Sequence, residues 1–150
     1  MTPNEIYMNY AYKEAEKAFD KGEIPVGCII VFQNTIIAKA YNMVESLKDP
    51  TAHSEILAIT SAAEYLQSKQ LVGCSMYVTL EPCSMCAGAI VLSKIENVFF
   101  GAFDMKSGAC GSVLNITNNK SLNHKSNVTG GVLDEKCREI LKSFFEARRD

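Results

Sequence analysis

Two short stretches decide the interpretation of this chain: HSE at residues 53–55 and PCSMC at residues 82–86. Together they offer one imidazole, two thiols and one carboxylate, from His53, Cys83, Cys86 and Glu55. Zinc binds nitrogen and sulfur ligands in a tetrahedron, and a catalytic zinc keeps one of its four positions for water. One His and two Cys would leave that position open, and Glu55 follows His53 closely enough to act on such a water. The pattern therefore predicts a hydrolytic zinc site with its own proton shuttle.

Each stretch is predicted to open a helix, over residues 51–67 and 83–93. The start of a helix carries partial positive charge and free N–H groups, which favour thiolate at Cys83 and Cys86. Two cysteines three positions apart project to the same side of one helical turn. We expect the first helix to bury Ile56, Leu57, Ile59, Thr60 and Ala63.

The flanking sequence predicts an α/β domain in which layers of helices cover one mixed sheet. A capping box at Thr2 and Glu5 opens an N-terminal helix that ends near Gly22. The other predicted elements are a hairpin at 25–32 and 36–41, a polar connection at 42–50, strands at 75–80 and 97–100, loops at 101–127, an edge strand at 128–132, and a helix at 134–149 capped by Asp134. We read residues 1–150 as a single domain.

Composition narrows the function classes. The chain has 47% hydrophobic and 21% charged residues, which is typical of a globular domain with a core. It has no run of eighteen apolar residues and its N-terminus lacks an apolar signal region, so we expect a cytoplasmic protein that does not contact a membrane. The net charge is −2, but residues 101–150 hold 8 Lys/Arg against 6 Asp/Glu. Any contact with a polyanion is therefore expected in that C-terminal third.

The remaining cysteines are predicted to be small buried hydrophobic residues rather than disulfide partners: Cys28, Cys74, Cys110 and Cys137. Two alternatives to the hydrolytic zinc site stay open. A structural zinc would need a fourth ligand, such as Cys74, Cys110 or His124. A lone C-x-x-C could also be a redox pair. The ordered combination of both motifs at helix starts favours the hydrolytic site.

The ligand set also predicts how the site would work. Two thiolates cancel the +2 charge of zinc, so the water depends on a nearby base for its deprotonation, and Glu55 is placed for this role. Glu55 can then protonate a ring nitrogen of the substrate, which makes the adjacent amino-bearing carbon electrophilic. Attack by the activated water releases ammonia.

Longer segments around the motifs resemble the cytidine-deaminase-like superfamily, in which H-x-E followed by P-C-x-x-C is the signature of zinc nucleobase deaminases. These segments are DPTAHSEI at 49–56 and YVTLEPCSMCAGAI at 77–90. IPVGCII, FGAFDMKSGACGS, the Leu122–His124 triplet and the tail GVLDEKCREILKSFFEARR extend the resemblance over nearly the whole chain. Within the superfamily the chain is most similar to the bacterial tRNA-specific adenosine deaminases.

The resemblance implies a three-layer α/β/α fold with a mixed five-stranded sheet, a homodimer, and one zinc per subunit at His53, Cys83 and Cys86. It implies that Glu55 is the proton shuttle. The implied reaction is hydrolytic deamination of the wobble adenosine, position 34, to inosine in the anticodon loop of tRNA-Arg. Position 54 is often Ala in the family and is Ser here, a difference from which we expect no consequence.

The resemblance also implies substrate contacts by seven residues: Asn42, Asp104, Lys106, Phe144, Phe145, Arg148 and Arg149. Asn42 would contact the adenine, and the others would face the target nucleotide or the anticodon loop. Each has a simpler alternative: a turn residue for Asn42, core residues for the two phenylalanines, and solvated surface for the rest. Two alternative functions also stay open, a free nucleobase or nucleoside deaminase and a non-enzymatic zinc module.

Overall fold

A computed structural model describes residues 1–148 of the chain. Its elements in order are α1 (Pro3–Asp20), β1 (Gly27–Phe32), β2 (Thr35–Tyr41), α2 (Val44–Leu47), α3 (Ser54–Leu66), β3 (Cys74–Leu80), α4 (Ser84–Ser93), β4 (Asn97–Ala102), β5 (Asn127–Thr129) and α5 (Asp134–Glu146). None of the described helices is long and apolar enough to cross a membrane.

The strands form one five-stranded mixed sheet in the order β2-β1-β3-β4-β5. β1 is antiparallel to β2 and β3, whereas β3, β4 and β5 run parallel. Alternate side chains of β1 enter opposite cores: Ile30 packs with Ala58 and Ile90 beneath α3 and α4, and Ile29 packs with Met8 and other residues of the α1 and α5 layer. The predicted α/β fold with three layers and a mixed sheet is confirmed.

Local sequence explains the ends of several elements. Thr2 and Glu5 form the predicted capping box at the start of α1. Gln33 and Asn34 have φ values of 49° and 62°, so the hairpin closes through a two-residue turn with positive φ at both central positions. This turn twists in the sense that the flanking strands require.

Two predictions about the region from residue 42 to residue 67 were wrong. Part of the polar connection forms α2, which the sequence did not signal because the helix is only four residues long. The buried face of α3 consists of Ser54, Glu55, Ala58 and Ala62, while Thr60 is exposed and the predicted isoleucines are only partly buried. Small residues face inward there because α3 packs closely on the sheet and on α4.

The C-terminal helix also differs from its prediction. Its N-cap is Leu133, in the left-handed region with φ of 57°, and Asp134 is the first helical residue. The described helix ends at Glu146. β5 covers residues 127–129 rather than 128–132, because only these residues pair with β4.

Candidate active site

The three predicted zinc ligands lie together where two helices begin. His53 is the N-cap of α3 and Cys83 is the N-cap of α4, both in extended conformation, and Cys86 lies in the first turn of α4. Nδ1 of His53 lies 3.6 Å from Sγ of Cys83 and 3.6 Å from Sγ of Cys86. All three donor atoms lie within 4.8 Å of one another. The fold thus brings residues 30 positions apart in sequence into one cluster.

This donor set fits a zinc ion. Zinc–sulfur bonds of about 2.3 Å and zinc–nitrogen bonds of 2.0–2.1 Å at a tetrahedral angle place sulfur and nitrogen roughly 3.6 Å apart. The separations in the cluster match that distance. Within residues 1–148, no fourth His, Cys, Asp or Glu side chain joins these three donor atoms.

The candidates for a fourth, structural ligand have other partners. Cys74 lies in the core beneath α3, and Nε2 of His124 lies 2.7 Å from the carbonyl oxygen of Ile95. Cys110 is half-buried outside the cluster. All six cysteines are free, as predicted, and Cys28, Cys74 and Cys137 are buried. The geometry therefore favours a three-ligand site with an open position over a structural zinc.

The cluster already favours a thiolate. Hydrogen bonding to the Cys86 thiol, together with His53, lowers the pKa of Cys83 to about 3. The same contact and burial raise the pKa of Cys86. The hydrogen bond to Cys83 raises the pKa of His53. A thiolate is the form of cysteine that binds a metal, so Cys83 is suited to be a ligand.

Glu55 lies in the first turn of α3, and its carboxyl group is buried beside the cluster. Burial raises the pKa of this carboxyl. The Ser54 hydroxyl donates a hydrogen bond of 2.8 Å to Oε1 of Glu55. Ala at position 54 could not make this contact, and our expectation that Ser there has no consequence stays a prediction. A raised pKa makes this carboxylate a stronger proton acceptor than an exposed glutamate, which suits a general base.

A cavity of about 590 Å³ opens over these groups. His53, Glu55 and Cys83 lie at its floor. Its walls include most of the predicted substrate-binding residues: Asn42, Asp104, Phe144 and Arg148. Asn42 is buried at the end of β2, and its Oδ1 accepts a hydrogen bond of 2.8 Å from the backbone N–H of Ser54. This contact fixes the amide relative to the residue that lies between the predicted ligand and the predicted proton shuttle.

Two other predicted substrate residues, Lys106 and Phe145, do not line the cavity. The Asp104 carboxylate accepts hydrogen bonds from the backbone N–H groups of Lys106 and Ser107, and Ser107 rather than Lys106 lines the cavity. Phe145 is 47% exposed and lies outside the cavity. Arg149 lies outside the described residues.

Phe144 and Arg148 form one unit at the mouth of the cavity. Phe144 is 3% exposed and makes an edge contact with Phe19. The guanidinium of Arg148 lies 3.6 Å from the centre of the Phe144 ring. Phe144 is therefore a core residue whose ring supports the guanidinium. Arg148 is the member of this pair that can offer a positive charge at the mouth.

The sequence prediction missed two buried carboxylates of the cavity wall, Glu23 and Glu81. Glu23 accepts hydrogen bonds from the backbone N–H groups of Glu45 and Ser46 at the start of α2. Glu81 accepts bonds from the 104–112 segment. An acidic residue directly after an apolar strand was the available signal for Glu81, but its partners are distant in sequence.

Comparison with known proteins agrees with this geometry. Residues 1–102 match the family model of the cytidine and deoxycytidylate deaminase zinc-binding region. The tRNA-specific adenosine deaminase of Bacillus subtilis is 47% identical and is aligned over 99% of this chain and 92% of its own length. That of Aquifex aeolicus is 51% identical, over 97% of this chain and 96% of its own.

Solved structures give the same result. One from studies of A-to-I editing by tRNA:A34 deaminases at the wobble position of transfer RNA has a TM-score of 0.87 at 37% identity, and covers 90% of this chain and 98% of that chain. Guanine deaminase of Bacillus subtilis is 38% identical with a TM-score of 0.64, but covers 69% of this chain and 66% of that chain. The chain therefore belongs to the zinc-binding cytidine and deoxycytidylate deaminase family and, within it, to the tRNA-specific adenosine deaminases.

Proposed function

We propose that this chain deaminates the wobble adenosine, position 34, of tRNA-Arg to inosine by hydrolysis. One zinc per subunit would be held by His53, Cys83 and Cys86. One observation carries the proposal: a single cavity is lined by His53, Cys83 and Glu55 at its floor and by an arginine supported by an aromatic ring at its mouth. The floor provides the means to hydrolyse an amine, and the mouth offers a cation to a polyanion.

When bound, zinc supplies a Lewis acid that makes water a nucleophile near neutral pH. Glu55 takes one proton from this water and delivers it to a ring nitrogen of the adenine. The protonated ring accepts the hydroxyl at the amino-bearing carbon. The remaining hydroxyl proton reaches the departing amine through the same carboxylate, so adenosine and water become inosine and ammonia. General acid–base help of this kind contributes a factor of about 10² to 10⁴ in rate.

Residues of the wall would select the base. Asn42 presents an amide whose oxygen is fixed by the Ser54 N–H, so its amino group is free to donate to the edge of an adenine. A base from a single-stranded loop can leave the stack and enter such a pocket at a cost of a few kcal/mol. Asp104 and Ser107 also line the cavity and are candidates for a ribose contact.

Residues at the mouth would hold the RNA. Arg148 is positioned for a phosphate, and Lys106 is exposed in the segment that follows β4. The exposed ring of Phe145 is available for stacking on a flanking base, which is worth roughly 1–3 kcal/mol. Arg149 continues this basic end in the sequence.

We also propose that residues 1–150 act as one domain, that two copies form a homodimer, and that the enzyme works in the cytoplasm, where its tRNA substrate is made. Four large apolar side chains of one loop support the dimer because they are exposed in the single chain: Phe103, Met105, Val113 and Leu114. Sedimentation of the purified protein tests the dimer. A monomer at micromolar concentration would contradict it.

A second candidate function is deamination of a free base, which the similarity to guanine deaminase favours. The test is a direct comparison: zinc-loaded protein is given an anticodon stem-loop with A at position 34, or free guanine, cytosine or adenosine. We expect inosine in the RNA and no ammonia from the free compounds. Ammonia from a free base, with the RNA unchanged, would establish the second candidate instead.

A further inference from the structure

We infer that Glu81 is a positioning residue that fixes the 104–112 segment as a preformed wall of the substrate cavity. The inference rests on the proposed function for its catalytic consequence, but its structural part stands on contacts alone. Glu81 directly follows β3 and precedes Pro82 and the ligand Cys83. Its side chain is buried, at 2% exposure.

The Glu81 carboxylate is held by hydrogen bonds from N–H groups rather than by a cation. Oε1 accepts a hydrogen bond of 3.1 Å from the backbone N–H of Asp104, and Oε2 accepts bonds of 3.1 Å and 3.0 Å from those of Cys110 and Ser112. The Ser112 hydroxyl donates to Oε1 as well. No Lys or Arg side chain of residues 1–148 forms a salt bridge with it. Hydrogen bonds to an ionised acceptor in such a buried place are about twice as strong as neutral ones.

The segment is shaped to fit this carboxylate. A Cβ on Gly108 would lie 2.6 Å from Oε1 of Glu81, so the chain can pass the carboxylate only where no side chain is present. The backbone N–H of Ala109 donates to the carbonyl oxygen of Pro82 at 2.8 Å. The segment is therefore tied to the strand end at two consecutive residues, Glu81 and Pro82.

These ties matter because the 104–112 segment has no helix or strand of its own to hold it. Asp104 and Ser107, which line the cavity, belong to it. The same strand end continues into Cys83 at the cavity floor. Glu81 thus sets the distance between the wall and the metal cluster. If it were lost, the floor would stay intact while the wall moved.

Hydrogen exchange, zinc content and steady-state kinetics on the anticodon stem-loop test the inference. Glu81→Gln keeps the shape of the side chain but removes its charge and replaces one acceptor oxygen with a donor. We expect exchange of amides 104–112 to accelerate about 10- to 100-fold, as for the loss of a charged acceptor, with no change in β3 or α3. Zinc content should stay at the wild-type level. KM should rise about tenfold, with a smaller change in kcat.

Ser112→Ala removes only the hydroxyl donor and should give a smaller effect of the same kind. It decides the question if Glu81→Gln does not fold. Glu14→Gln is the matched control, because Glu14 is also a buried carboxylate but lies on α1 outside the cavity wall. We expect this control to leave the exchange of the 104–112 amides and KM unchanged.

Three results would overturn the inference: wild-type exchange in the segment, acceleration spread evenly over the sheet, or an unchanged KM in both Glu81→Gln and Ser112→Ala. A wild-type protein that makes no inosine would instead overturn the proposed function. The exchange result needs no substrate and would still decide the positioning role.

Discussion

The floor and the mouth of the cavity are made of different kinds of structure. His53, Glu55, Cys83 and Cys86 sit at the starts of two helices that pack on the sheet, and all four are buried or half-buried. The mouth is lined by Asp104 and Ser107 of the 103–126 segment, which has no helix or strand, and by Phe144 and Arg148 at the end of α5. Ser107 and Arg148 are exposed. The floor is therefore held by packed helices, whereas the mouth is held partly by a segment without regular structure.

The largest effect is expected from a variant of the floor that leaves the residues of the mouth unchanged. Cys86→Ala removes one of three ligands from the floor, so we expect loss of zinc and of all measurable deamination, on RNA and on free bases alike. Mass-spectrometric metal analysis and an inosine assay measure both. Cys110→Ala is the control, since this half-buried thiol lies outside the cluster and its loss should leave zinc bound. A Cys86→Ala protein with full zinc and full activity would contradict the assignment.

Glu55→Gln should lower catalysis while it leaves the binding of zinc and RNA unchanged. The amide keeps the size of the side chain but cannot accept and pass on a proton, so turnover should fall by a factor of about 10² to 10⁴. Zinc content and RNA affinity should remain. Single-turnover kinetics on the anticodon stem-loop give the rate, and a filter-binding assay gives the affinity. An active Glu55→Gln enzyme would remove the proton shuttle from the mechanism.

The sequence predicted the floor well because metal-ligand chemistry is local. His53 and Glu55 are two residues apart, Cys83 and Cys86 three, and each pair needs only a helix start to be presented correctly. It also predicted the order of strands and helices that joins the pairs. The contact of Ser54 with Glu55 was missed because it depends on a rotamer inside the packed site rather than on spacing.

The mouth was predicted less completely because its contacts join distant parts of the chain. Glu81 meets partners up to 31 positions away, and nothing in the spacing of those partners marks them. Phe144 and Phe145 are adjacent and alike in sequence, yet one is buried under Arg148 and the other is exposed. Only the rotation of α5 on the sheet decides between them.

Asn42 lies between the two regions, and its variants show which one it serves. Asn42→Ala leaves the Ser54 N–H without its acceptor and removes the proposed donor to the base, so kcat/KM should fall about 10- to 100-fold. Asn42→Asp keeps the acceptor but lacks the amide donor. Full activity in Asn42→Asp would mean that Asn42 only supports Ser54, and an equal loss in both variants supports a contact with adenine.

The smallest expected effect belongs to the mouth. Arg148→Ala should weaken binding of the stem-loop several-fold and reduce the salt dependence of binding by about one phosphate contact, while zinc content stays unchanged. Arg138→Ala is matched to it, because Arg138 lies on the same helix in a surface pair with Asp134. Titrations at several salt concentrations measure the slope. Equal slopes for the two variants would exclude a phosphate contact by Arg148.

The most direct test of the central claim asks whether the floor and the mouth act together on one nucleotide. Zinc-loaded wild-type protein is incubated with two anticodon stem-loops, one with adenosine at position 34 and one with that adenosine moved to a neighbouring loop position, and inosine is read by sequencing. We predict inosine at position 34 of the first RNA, little in the second, and inosine formed about 10²- to 10⁴-fold more slowly with Glu55→Gln. Absence of inosine from both RNAs with the wild-type protein, while a free base is deaminated, would contradict the account.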